Sequence, residues 1–135
     1  MPESAGPASA GPELRVVDVD HVVLNVADAE RSLAFYAGAL GLAPVRVEEW
    51  RRGVVPFPSV RVTPTFIVDL LETDRTGVNT DHVCLVVEPL DLAAVAASGR
   101  FTVVDGPAAR FGARGMGTSL YVLDPDGNTV ELRHY

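Results

Sequence analysis

Asp20-His21-Val22-Val23-Leu24 recurs as Asp81-His82-Val83-Cys84-Leu85, at an offset of 61 residues. A second echo follows: Ile67-Val68-Asp69-Leu70 matches Thr129-Val130-Glu131-Leu132 at an offset of 62. Two matches at nearly one offset mark a duplicated module, too long and too few for a solenoid array. The first element of each module is Val-rich and reads as a strand, at residues 16–26 and 80–87. Asp28 is placed to cap a helix bearing Leu33, Tyr36, Ala37 and Leu40 at helical spacing, with Gly41 as its stop. In the second module Pro89 marks a helix start, Leu92, Val95 and Ala96 its stripe, and Gly99 its end.

Three strands are expected after each helix, near 43–50, 54–63 and 65–72, then near 101–104, 117–123 and 128–134. Pro56, Pro58 and Pro64 confine the middle strand of the first module to an edge or a bulge. Asp124-Pro125-Asp126-Gly127-Asn128 signals a turn that makes the last two strands a hairpin. Residues 105–117 read as a mobile loop. The expectation is an α+β fold of two tandem βαβββ modules, about 15–78 and 79–135, whose curved mixed sheet forms a cleft. Residues 1–14, rich in Ala, Gly, Pro and Ser, are expected to be a disordered tail.

The chain has 135 residues, enough for one domain, with 47% hydrophobic and 21% charged residues. Its formal net charge is −7, which argues against nucleic acid as a partner. No basic run suits an anionic membrane, and no stretch has the length of a membrane span. The N-terminus lacks the basic and apolar regions of a secretory signal. With Cys84 as the single cysteine, no disulfide framework exists, and a cytoplasmic location is expected.

Alternation along each strand gives the chemistry a direction. His21, Val23 and Asn25 share one face of the first strand, and Thr129, Glu131 and Arg133 share one face of the last. In the fourth strand Ile67, Asp69 and Leu71 lie together. A buried unpaired carboxylate at Glu131 is costly; a ligand role removes that cost, and so would pairing with Arg133 or a position at the rim.

These strings resemble the vicinal oxygen chelate superfamily, the glyoxalase, bleomycin-resistance and dioxygenase group. The marks are Asp20-His21-Val22, the helix string from Glu30 to Tyr36 with Leu40-Gly41-Leu42, Asp81-His82-Val83, and the run from Tyr121 through Asp124-Pro125-Asp126-Gly127-Asn128 to Glu131-Leu132. The resemblance implies a divalent metal (Fe, Mn, Ni, Co or Zn) held by His21, His82 and Glu131. Asp69 occupies the equivalent place in the first module, as fourth ligand, general base or neither. Tyr121 is a second catalytic candidate, and Arg61, Arg110 and Arg133 are candidates for binding an anionic substrate. Two imidazoles and one carboxylate leave coordination positions open for two neighbouring substrate oxygens. The expected function is therefore metal-dependent chemistry on a small molecule: isomerase or lyase, epoxide-opening or dioxygenase. The alternative is a non-catalytic small-molecule or antibiotic-binding protein. A homodimer is expected, with the modules paired either within or between chains.

Overall fold

The computed structural model describes residues 11–74, 76–123 and 127–135. Eight strands form one mixed sheet: β1 (Val16–Val26), β2 (Ala43–Val45), β3 (Ser59–Thr63), β4 (Phe66–Glu72), β5 (Thr80–Val87), β6 (Thr102–Gly112), β7 (Gly115–Leu123) and β8 (Thr129–His134). Their order is β2-β3-β4-β1-β5-β8-β7-β6. The module repeat is visible in that order. Each opening strand pairs in parallel with its module's last strand, β1 with β4 and β5 with β8. The two opening strands pair antiparallel with each other, which joins the modules within one chain.

The helices cover the apolar face. Asp28 caps α1 (Ala29–Leu33) by accepting from the Arg31 amide. The helix continues as a wider π turn over Ala34–Ala39 and stops at Gly41, whose φ is 77°. Leu33, Tyr36 and Ala37 pack on Val60 and Leu70. Leu40, placed on the same stripe from sequence, is 57% exposed. The Leu40 amide bonds the Phe35 carbonyl five residues back, and the extra residue in that turn rotates Leu40 away from the sheet. The second module's core gathers under α3 (Leu92–Ala97), where Leu92 and Val95 meet Leu120, Val122 and Leu132. The helix starts at Leu92, capped by Asp91, three residues later than Pro89 suggested.

Three expectations need correction. The strand expected over 43–50 ends at Val45 and is followed by α2 (Val47–Arg51). Val47 and Trp50, three residues apart, both reach the first module's core from that helix; Val45 and Val47 had mimicked strand alternation. The strand expected from 54 begins only at Ser59, after Pro58, and ends before Pro64. It lies between β2 and β4, not at the edge; of the two alternatives the prolines posed, the structure has the irregularity, a register shift between Arg61 and Thr63 beside Pro64. Residues 105–117 are no loop: β6 runs through Gly112 and pairs with β7 almost to the tip. Gly106 and Pro107 sit in a register shift between Asp105 and Ala108 on this edge strand, where a proline's missing donor costs no ladder bond.

The Asp124–Asp126 part of the predicted turn and residues 1–10 of the predicted tail lie outside the described residues. Within the remainder of that tail, Leu14 packs against the second module's core, and Arg100 donates to the Pro12 carbonyl at 2.6 Å. Among the described residues, no helix is long and apolar enough to cross a membrane.

The sheet curls until distant strands meet. Arg61 on β3 donates to the Ala113 carbonyl at the β6–β7 tip, 2.8 Å away. The Ala113 amide in turn donates to Asp20 on β1 at 2.9 Å. The concave face so enclosed is the cleft.

Candidate metal centre

His21 on β1, His82 on β5 and Glu131 on β8 converge at the seam between the modules. Both histidine Nε2 atoms lie 3.0 Å from Glu131 Oε1 and 3.3 Å from each other. The parallel β5–β8 register sets Cys84 beside Glu131, and the antiparallel β1–β5 register sets Val23 beside His82.

Each histidine is held from behind by the aspartate that precedes it. Asp20 Oδ2 and Asp81 Oδ2 lie 2.7 Å from Nδ1 of His21 and His82 respectively. Neighbours on a regular strand point to opposite faces, so these contacts need a local break. The β1–β5 ladder supplies one at each site. Pairing passes from Val19↔Leu85 to His21↔Cys84, leaving Asp20 as an extra residue in β1, and from Val23↔His82 to Leu24↔Thr80, leaving Asp81 as an extra residue in β5. The duplicated aspartates are thus the bulged residues that aim the duplicated histidines. The Asp-His repetition was visible in the sequence; its meaning depends on bulges that residue types do not announce.

With Nδ1–H donated to aspartate, a neutral imidazole presents a lone pair at Nε2. Three lone-pair atoms then face one another, and buried Glu131 Oε1 has no partner but these two imidazoles. Such a cluster requires a cation. An ion about 2.1 Å from three mutually perpendicular donors places them roughly 3.0 Å apart, so the triangle has the size of one octahedral face. The residues therefore fit a divalent ion. A proton is the other available cation. Burial opposes charge on His21, but Asp20, Cys84 and Glu131 outweigh it and push its pKa up to about 12. Burial favours neutral Glu131, yet bonds to His21, His82 and Ser119 hold its carboxyl well below the ordinary range.

Glu131 divides its two oxygens. Oε2 accepts from Ser119 Oγ at 2.7 Å and from Arg133 Nη1 at 3.0 Å, while Oε1 faces the histidines. Arg133 has no exposed surface; its Nη2 donates to the carbonyls of Arg110 at 2.8 Å and Gly115 at 3.2 Å. It lies behind the triad and fixes the Glu131 carboxylate, away from the cleft. Two glycines make room for it: a Cβ on Gly117 would stand 2.7 Å from Arg133 Nη2, and one on Gly112 2.6 Å from its Cζ. Asp20 is anchored in the same layer by the Tyr135 hydroxyl.

Asp69 on β4 is buried, with Oδ2 3.9 Å from His21 Nε2. The Ser59 hydroxyl donates to its Oδ1. Burial pushes the Asp69 carboxyl above the usual range, against the pull of His21, Ser59 and His82. Tyr121 stacks its ring edge-on with His82 at 5.5 Å. Burial raises its hydroxyl pKa, so the phenol stays protonated.

His21, Asp69, His82, Arg110 and Tyr121 share a cleft of about 410 Å³ with Arg46, Phe57, Phe111 and Met116. That is toward the small end for ligand sites. Arg110 is paired with Asp105 at 3.0 Å. Arg61 does not line this cleft; its guanidinium is committed to the carbonyls of Pro64 and Ala113. The sequence reading had missed Asp20, Asp81, Ser59, Ser119 and Arg46 as contributors.

A family profile described as Glyoxalase/Bleomycin resistance protein/Dioxygenase superfamily matches residues 18–132. The chain belongs to this superfamily. It is 27% identical over 120 residues to the virulence protein STM3117 of Salmonella typhimurium, covering 87% of this chain and 83% of that protein. Over 136 residues it is 29% identical to the glyoxalase domain-containing protein RDO1 of Mycosarcoma maydis, covering 91% of this chain and 71% of the relative. Among solved structures, the Mn(II)-bound glyoxalase from Novosphingobium aromaticivorans aligns with TM-score 0.68 and 25% identity over 90% of this chain. The 2,3-dioxygenase LapB from Pseudomonas sp. KL28 shares the fold, with TM-score 0.64 and 17% identity over 89% of this chain. This chain spans 40% and 43% of those two longer chains.

Proposed function

We propose that the chain is a metal-dependent enzyme that moves a proton on a small molecule bearing two neighbouring oxygens. The observation that carries this reading is the convergence on buried Glu131 Oε1 of two aspartate-backed imidazoles, each with its Nε2 3.0 Å away. His21, His82 and Glu131 would hold the ion (Fe, Mn, Ni, Co or Zn). When bound, that ion supplies a Lewis acid with positions open to two substrate oxygens. The Mn(II)-bound glyoxalase relative supports the metal and the reaction class.

Asp69 is the proton carrier at Oδ2. It stands beside the triad on its own strand, and Ser59 fixes its other oxygen. Tyr121 donates a hydrogen bond into the cleft. Phe57, Phe111 and Met116 give the cleft an apolar wall beside the triad. A buried carboxylate placed as a base favours proton transfer over epoxide opening or oxygenation. A pure binding protein has no use for two bulges that aim imidazoles at a buried carboxylate. The centre is complete within one chain, so the proposed homodimer would not be needed to assemble it.

Water-proton relaxation of the Mn(II)-loaded protein tests this reading. Ion-bound water should enhance relaxation, and a bidentate hydroxamate should abolish much of the enhancement. A tightly bound ion with no exchangeable water would mean a closed structural site and would defeat the proposal.

A further inference from the structure

The metal chemistry leaves one wall of the cleft unexplained. Arg46 follows the last residue of β2 with φ 60°, and among the described residues no other non-glycine has positive φ. An L side chain is held in this region only when its surroundings require it, and such positions gather at ligand sites. The Arg46 guanidinium lies 3.9 Å over the Phe111 ring and lines the cleft. Since β2 and β6 are the two ends of the sheet, this stack closes the curl across the cleft.

The chain carries 18 Asp and Glu against 11 Arg, and two of the other arginines near the cleft and the triad, Arg110 and Arg133, find carboxylates. Arg51 pairs with Glu30 and Glu48, Arg110 with Asp105, Arg133 with Glu131. Among the described residues, no carboxylate pairs with Arg46. A half-buried guanidinium, stacked on an aromatic face and turned to a cavity without a counter-ion, is a receptor for a planar oxyanion. Phe57, Phe111 and Met116 share the cleft with Arg46 and the triad.

We propose that the cleft takes a compact amphipathic anion, with two vicinal oxygens at the triad, an apolar body against Phe57, Phe111 and Met116, and a carboxylate paired with Arg46. This rests on the metal reading above and adds the substrate class to it. Arg46 is then the specificity-determining residue, and it draws an anion into a protein whose net charge of −7 would otherwise repel it.

Benzohydroxamate chelates through two neighbouring oxygens and carries no charge on its ring; its 3-carboxy and 4-carboxy forms add the anion. Binding of all three to the Mn(II)-loaded full chain is measured by calorimetry. At least one carboxylated probe should bind about ten-fold tighter than the parent or better. Arg46→Asn should abolish that preference, costing the favoured carboxylated probe at least about ten-fold more affinity than the parent. Asparagine tolerates the left-handed backbone, and Arg46→Gly, which removes the strain outright, should give the same loss. Equal binding of all three probes to the wild type, or an equal loss for all three in both variants, overturns the proposal while leaving the metal reading intact. If benzohydroxamate itself fails to bind the loaded protein, the metal reading fails and this inference with it.

Discussion

Replacing Arg133 by methionine keeps most of the side-chain volume and removes the guanidinium that anchors the ligand carboxylate. In the native chain this group has no exposed surface and donates to Glu131 Oε2 at 3.0 Å, Ser119 Oγ at 3.3 Å and the carbonyls of Arg110 and Gly115 at 2.8 and 3.2 Å. Its Nε also lies 3.9 Å from Asp20 Oδ1, too far for a hydrogen bond. The variant leaves Glu131 charged and buried with Ser119 as its remaining donor at Oε2, and leaves two carbonyls without these partners. Breaking a buried ion pair from one side costs about 3–5 kcal/mol. Urea unfolding of metal-free protein should show a loss in that range. In the double variant Arg133→Met/Glu131→Gln the carboxylate charge is gone, so the pair should be less destabilised than the sum of its singles by about 1 kcal/mol or more. A loss below about 1 kcal/mol for Arg133→Met, or additive singles, would refute the claim that Arg133 exists to hold Glu131.

Other consequences are as direct. Asp20, Cys84 and Glu131 push the His21 pKa up to about 12, so loading is expected to expel a proton from the cluster. Affinity should climb about ten-fold per pH unit from pH 7 to 9, and calorimetry in buffers of different ionisation enthalpy should count at least one proton released; a flat profile contradicts the assignment. The same raised pKa stabilises the metal-free fold fully below the ordinary 6.5, and that contribution drains away as pH rises toward about 12, which urea midpoints across pH 6–9 should register as a decline in a His21-dependent manner. Gly117→Ala sets a methyl 2.7 Å from Arg133 Nη2 and 2.8 Å from the His134 carbonyl; it should cost about 1–3 kcal/mol, whereas an alanine that unfolds at the wild-type urea midpoint would show that the guanidinium is not tightly seated.

The triad was legible because it rests on two features that sequence preserves: the offset between modules and the two-residue period of a strand. His21 and His82 occupy equivalent places in the duplicated unit, and Glu131 lies on the polar side of its strand. The sequence posed Glu131 as a ligand, a partner of Arg133 or a residue at the rim. In the fold Oε2 pairs with Arg133 while Oε1 faces the two histidines, since residues two apart on β8 share a face. What could not be read depends on departures from that regularity. The aspartates act through bulges in the β1–β5 ladder. Arg46 meets Phe111 only because the sheet curls end to end. The five-residue α2 is shorter than any window in which helical period becomes visible, and glycines in β6 and β7 that suggested a loop instead make room for a buried arginine.

The central claim is that His21, His82 and Glu131 together hold one divalent ion. Its most direct test is the metal content of the full chain after loading in turn with Mn(II), Fe(II), Co(II), Ni(II) and Zn(II) and exhaustive dialysis. The account predicts one ion per chain for at least one of these metals, falling to background in His82→Ala and in Glu131→Gln. Wild-type protein that retains none of the five, or a His82→Ala variant that retains its ion undiminished, would contradict it.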